Sequence, residues 1–247
     1  MPKAFLIDTT RCTACRGCQV GCKEWKNFPA VPTKQRGTHQ NPPDLTHYNF
    51  KLVRFSERMD AAGKVTWNFF PDQCRHCLEA PCKSGASLED SIIIDKDTGA
   101  VIYTEKTVKE DFETIRSSCP YDIPRKDPKT KRIVKCDMCI DRVKANLLPM
   151  CVKSCAMGAM NFGDRAEMLK LAAQRLVAVQ KEFPKAQLCD MENVSVIYLI
   201  TDAPANYHKF AVADASDSTQ GAPGMDRQQL LAGMFEPLRR AAKQIQG

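Results

Sequence analysis

The chain has 247 residues, 43% of them hydrophobic and only 7% aromatic, and carries a formal charge of +7 at pH 7. That length accommodates one or two domains, and the apolar share is that of an ordinary globular protein. No stretch reaches the roughly 18 apolar residues of a membrane span, and thirteen cysteines, an odd number, exclude a fully paired disulfide framework.

Residues 3–8 read as a short strand that feeds the run Cys12-x2-Cys15-x2-Cys18-x3-Cys22, and residues 18–26 as a short helix behind it. A proline-rich polar stretch, 29–47, predicts an extended surface loop. Residues 49–55 and 65–70 are strand-like and meet at a polar turn ending in Gly63. A second run follows, Cys74-x2-Cys77-x4-Cys82. Residues 91–95 and 100–104 predict a hairpin across Lys96-Asp97-Thr98-Gly99. Cys119-Pro120 stands alone, and 124–132 reads as a basic connector. The last run is Cys136-x2-Cys139-x11-Cys151-x3-Cys155, with a closing strand at 161–163. Beyond it, apolar residues recur at helical spacing over 165–183, and 194–201 is a strand candidate. Residues 213–224 read as a linker and 226–245 as a second amphipathic helix, broken near Pro237.

The cysteine spacing carries the chemistry. Three thiolates on one tight turn grip three corners of a cubane cluster, and a fourth cysteine just beyond serves a neighbouring cluster. Zinc prefers two well-separated pairs in a tetrahedron; the Cys136–Cys155 run alone fits that, but four cysteines between Cys12 and Cys22 do not. The crossing rule assigns one cluster to Cys12, Cys15, Cys18 and Cys155, and a second to Cys136, Cys139, Cys151 and Cys22. Cys74, Cys77 and Cys82 then need a distant fourth, for which Cys119 is the cysteine that fits. Cys189 is left over as a buried free thiol. Three [4Fe-4S] clusters on twelve thiolates bring the charge of +7 close to neutrality. The basic excess therefore balances cluster charge and does not call for nucleic acid.

In these runs, in Cys74-Arg75-His76-Cys77 with Pro81-Cys82, in Cys119-Pro120 and in Gly158-Ala159, the chain resembles the four-cluster ferredoxin-type subunits of molybdenum and tungsten oxidoreductases over residues 3 to about 163. It departs from that pattern at Ala86, and near Lys109, Phe112 and Ile115, where cysteines belong; all four serve one cluster, so a single cluster is lost and three stay fully ligated. Ala156 replaces a proline. A three-cluster chain of this kind resembles the small subunit of soluble tungsten or molybdenum formate dehydrogenases. The resemblance implies an α+β fold of two ferredoxin-like modules, one inserted in the other. Residues 1–47 with 124–165 would hold two clusters, residues 48–123 one, and a helical C-terminal extension, 166–247, would contact the catalytic subunit. It further implies a large partner chain bearing the molybdopterin with tungsten or molybdenum, and a soluble acceptor such as a multihaem cytochrome c. The same role in a polysulfide, dimethyl sulfoxide or nitrate reductase is the alternative. Residues 1–8 are too short for a secretory signal, so the expected location is the periplasm, reached folded with the partner, or else the cytoplasm.

No GxGxxG, P-loop or Gly-x-Ser-x-Gly motif is present, so no catalytic site is expected in this chain. His76, between two ligands, reads as a hydrogen-bonding or packing residue; His39, His47 and His208 read as surface or structural. Trp25 is placed to shield a cluster or simply to pack. Arg125, Lys126, Lys129, Lys131 and Arg132 read as a solvated connector, with docking of an acidic redox partner as the sharper reading. Two rival readings remain: a zinc-stabilised binding module, which would be colourless and free of acid-labile sulfide, and a ferredoxin with no stable partner.

Overall fold

The structure, a computed structural model, describes residues 2–59 and 63–213. In chain order its elements are β1 (Lys3–Asp8), α1 (Gly17–Trp25), β2 (Leu52–Met59), β3 (Val65–Asp72), α2 (Pro81–Ser84), β4 (Ile92–Ile94), β5 (Val101–Tyr103), α3 (Phe112–Ser117), β6 (Arg125–Lys126), β7 (Ile133–Val134), α4 (Ile140–Lys144), α5 (Met150–Lys153), β8 (Met160–Asp164), α6 (Arg165–Gln180), β9 (Gln187–Cys189) and β10 (Val196–Ile200). The linker and the second amphipathic helix expected after residue 213 lie outside the described residues.

Four strands form the main sheet, in the order β8-β1-β10-β9. β1 runs antiparallel to β8, from Lys3 opposite Asp164 to Ile7 opposite Met160, and parallel to β10, from Phe5 opposite Val196 to Asp8 opposite Leu199. Strand alternation divides β1 between two faces. Ala4 and Leu6 join Ile197 under Met168 and Ala172 of α6, while Phe5 and Ile7 join Phe70, Val196 and Tyr198 on the face that carries the cysteine loops. The hairpin β2–β3 adds Val53 and Phe70 to that second face.

The part of the C-terminal region that is described is not simply a helical extension. α6 covers the sheet, but β9 and β10 belong to it, and all five residues of β10 are buried. The unbroken apolar run Val196–Ile200 explains this: with no polar face to turn to water, it is stable only between two layers beside other strands. The connector after Pro124 differs as well. β6 and β7 pair across it, Arg125 turns inward to Leu45 O, Asp122 and Asp44, and Arg132 pairs with Glu105, so the stretch is not a uniform basic face.

The hairpin β4–β5 and the helices α2 and α3 enclose a small core of their own. Ile92, Val101, Ile115 and Ile133 are at most 1% exposed there, with Ala86 and Phe112 packed against them. Three of the four positions that lack an expected cysteine, Ala86, Phe112 and Ile115, thus fill space with hydrocarbon; the fourth, Lys109, is exposed. Glu110 ties the same region together. Its carboxylate accepts from the Ser87 and Leu88 amides and from the Ser87 and Ser91 hydroxyls at 2.6–2.9 Å.

Candidate metal centres

The cysteine loops turn back on themselves through residues with left-handed backbone. Ala14 (φ 54°) and Arg16 (φ 63°) separate the first three thiols, His76 (φ 47°) lies between Cys74 and Cys77, and Met138 (φ 64°) and Cys139 (φ 51°) shape the last run. Such angles are uncommon for residues with a Cβ. Strings of them orient consecutive amides towards one point, which suits an anionic group. The local strain is held by what surrounds the loops, above all the junction of α1 with α5. A Cβ on Gly17 would sit 2.8 Å from Ser154 O, and one on Gly21 would sit 2.2 Å from Ser154 Oγ. Glycine lets the two ligand-bearing helices approach that closely.

The thiols fall into three groups. Cys12, Cys15, Cys18 and Cys155 line one small cavity, partly open to solvent, together with Val53, Pro71 and Met157. Cys74, Cys77, Cys82 and Cys119 line another, with Tyr103, Tyr121 and Lys135. Cys22 and Cys151 lie on the packed helices α1 and α5, Cys139 caps α4, and Cys136 precedes it. The third group is close enough for charge on one thiol to disfavour charge on another: Cys22 responds to Cys139, and both Cys136 and Cys151 respond to Cys22 and Cys139. The groups adjoin in a row, for Cys151 responds also to Cys18, and Cys136 to Cys74.

All thirteen cysteines are free, Cys189 among them, 4% exposed. Burial is the main reason the thiols resist ionising. It pushes Cys12 up to about 11 and Cys22, Cys77 and Cys119 up to about 12. Thiols in this state become thiolates when a metal takes the proton's place.

The residues fit [4Fe-4S] clusters on two further observations. Two cysteine quartets each surround a space. On the wall of the second cavity the buried Tyr103 hydroxyl also has no protein partner. A donor on such a wall can satisfy cluster sulfur and tune it. His76 Nδ1 accepts from the Val101 amide at 3.0 Å, and burial holds the imidazole neutral, so the proton is on Nε2. His76 is thus buried and hydrogen-bonded to the β5 backbone between Cys74 and Cys77.

Sequence reasoning missed two elements of the site. Arg75 is 2% exposed and binds Asp72 through Nη1 at 2.9 Å, with its guanidinium 4.7–5.1 Å from the Phe70, Tyr121 and Tyr198 ring centres. Lys51, also 2% exposed, donates to Pro71 O at 2.6 Å and Gln73 Oε1 at 2.7 Å. The apolar alternation around positions 52–55 gave no sign that a lysine beside it turns inward. Trp25, by contrast, is 41% exposed, donates to Asp141, and lies under the Arg142 guanidinium at 4.4 Å, so it packs at the rim.

Cysteine loops of this kind over a mixed sheet define a ferredoxin-type iron–sulfur protein, and residues 65–165 match the family model of the 4Fe-4S dicluster domain. The chain is 58% identical over 216 residues to the formate dehydrogenase 2 subunit beta (cytochrome c-553) of Nitratidesulfovibrio vulgaris, covering 85% of this chain and 99% of that one. It is 52% identical to the formate dehydrogenase subunit beta of Megalodesulfovibrio gigas, over 86% of this chain and all of that one. With the formate dehydrogenase-O iron-sulfur subunit of Escherichia coli it shares 33% identity, over 83% of this chain and 69% of that one. The chain belongs to the iron–sulfur (beta) subunits of formate dehydrogenase, members of an oxidoreductase complex with an electron-transport role. No helix among the described residues is long and apolar enough to cross a membrane.

Proposed function

We propose that the chain relays electrons from a large molybdopterin subunit, carrying tungsten or molybdenum, to a soluble acceptor, and that it holds three [4Fe-4S] clusters for this purpose. Cys12, Cys15, Cys18 and Cys155 hold the first, Cys22, Cys136, Cys139 and Cys151 the second, and Cys74, Cys77, Cys82 and Cys119 the third. Each cluster supplies, when bound, a site that takes up and gives up one electron. The chain's residues keep the three sites in a row, bar water from most of the thiolates, and supply N–H groups and buried cations around them. The observation that carries this reading is the gathering of twelve cysteines into three adjoining quartets.

Residues 1–47 with 124–165 form the two-cluster module in this reading, 48–123 the inserted one-cluster module, and 166–247 contact the partner. The third quartet ends the row. An open cleft lined by Cys77, Leu78, Pro81, Pro120 and Tyr121 lies against it, which favours exit of the electron there. A relative named for cytochrome c-553 favours a c-type cytochrome as the acceptor. Location in the periplasm, after export folded with the partner, is consistent with such an acceptor.

The test is Cys119→Ser in the purified complex. Iron should fall from about twelve per chain by about four. Turnover with the natural acceptor should drop while activity with a dye reduced at the catalytic subunit persists. Unchanged iron together with unchanged acceptor turnover refutes the assignment.

A further inference from the structure

Tyr103 closes β5 with a buried hydroxyl that no protein group satisfies. Its ring packs against the small core of Ile92, Val101 and Ile115, and the Lys135 ammonium lies 4.6 Å from the ring centre. The strand is pinned at Val101, whose amide donates to His76 Nδ1 at 3.0 Å and whose carbonyl accepts from Lys135 Nζ at 2.5 Å. Lys135 is itself tied to the Cys136 carbonyl at 3.0 Å. Val101 and Tyr103 stand two positions apart on one face of the strand, and both line the cavity of Cys74, Cys77, Cys82 and Cys119. A phenol carries its proton at neutral pH; burial and, after it, the nearness of Cys82 keep the proton on this one. A buried hydroxyl without an acceptor is costly. The acceptors that the quartet would bring within its reach are sulfur atoms.

We propose that the Tyr103 hydroxyl donates to a sulfur of the third cluster and raises the reduction potential of that cluster alone. A donor draws negative charge from the sulfur and so favours the reduced, more negative cluster. A hydrogen bond acts only at contact distance, and Tyr103 lines the cavity of the third quartet, not that of the first. One electron enters the cluster, and the hydroxyl keeps its proton. Tyr103 thereby lowers the energy of an electron at the end of the row, beside the cleft of Cys77 and Pro120. This inference rests on the three-cluster reading given above.

The experiment is an anaerobic redox titration of the intact complex, followed by electron paramagnetic resonance. It compares the native protein, Tyr103→Phe, and the protein with 3-fluorotyrosine placed at position 103. Cys119→Ser identifies the third cluster as the signal it removes. Phenylalanine keeps the ring and loses only the hydroxyl. With native iron content, the one-electron reduction equilibrium of the third cluster should fall about tenfold in Tyr103→Phe, a drop of about 59 mV. The other two midpoints should stay where they are. Fluorotyrosine has nearly the same shape and is a stronger donor, so it should move the same midpoint upwards, which a packing role would not do. A third midpoint unmoved by either change overturns the proposal, as do three midpoints that move equally. So does loss of iron in both, which would make Tyr103 an assembly residue. Fewer than three reducible clusters in the native complex, or no signal lost in Cys119→Ser, would refute the three-cluster reading itself, a failure seen before any change at Tyr103 is compared.

Discussion

Replacing Asp72 with asparagine probes what holds the loop that begins at Cys74. Asp72 closes β3, is fully buried, and accepts from Arg54 Nε at 2.7 Å and Arg75 Nη1 at 2.9 Å. Burial alone would raise its pKa; the Arg75 and Arg54 guanidiniums overcome that and hold it at about 2, down from 3.8. That drop corresponds to about 2 kcal/mol in favour of the ionised form. Asparagine also leaves Arg75 buried without its partner, and breaking a buried ion pair costs about 3–5 kcal/mol. The expected net loss is therefore about 3 kcal/mol. Loss of metal makes equilibrium unfolding a poor measure, so the assay is the rate at which visible cluster absorbance bleaches in guanidinium without oxygen. A loss of about 3 kcal/mol expressed in the unfolding rate is about a hundredfold acceleration. Bleaching at the native rate in Asp72→Asn, with native iron content at the start, refutes the view that this ion pair anchors the ligand loop.

Ile115→Ala opens a void where the cysteine of a fourth cluster would stand, with an expected loss of about 2–5 kcal/mol, read as faster bleaching in the same assay; bleaching at the native rate would show that the small core around α3 contributes nothing. His208 supplies the pH dependence. Burial, helped by the Arg54 guanidinium, lowers its pKa from 6.5 to about 4, so the unfolded chain takes up the proton first. Its stabilising effect is complete above 6.5 and declines as the pH drops from 6.5 towards 4, with a slope of up to one proton. The bleaching rate of His208→Gln should lose that pH dependence, and an unchanged dependence counts against the assignment.

The cysteine runs stand out because thiol ligands of a cluster need a fixed spacing on a short loop. The cysteines, the strand before Cys12 and the helix after it, the 92–103 hairpin and the long helix starting at residue 165 are local patterns, and the structure places them within a few residues of the sequence reading. What escaped is non-local. The parallel pairing of β1 with β10 joins residues about 190 positions apart, and nothing in either strand names the other. Lys51 and Arg75 escaped for a related reason. Lysine and arginine are exposed by default, and only the assembled site, with carboxylate, aromatic rings or thiols around them, makes burial tolerable. The basic stretch at Arg125 misled in the same way, since its inward turn depends on Asp44 across the fold.

The arrangement of β1 bears on how the molecule is made. Its two neighbours, β8 and β10, are both synthesised after residue 159, so the N-terminal strand leaves the ribosome as a ribbon open on two edges. Contacts this distant in sequence form late and slowly. In the proposed assignment Cys12, Cys15 and Cys18 likewise wait for Cys155 before their set is complete. In that assignment the first set is complete only once nearly two thirds of the polypeptide has been made, so loading with iron and sulfide follows the synthesis of residue 155.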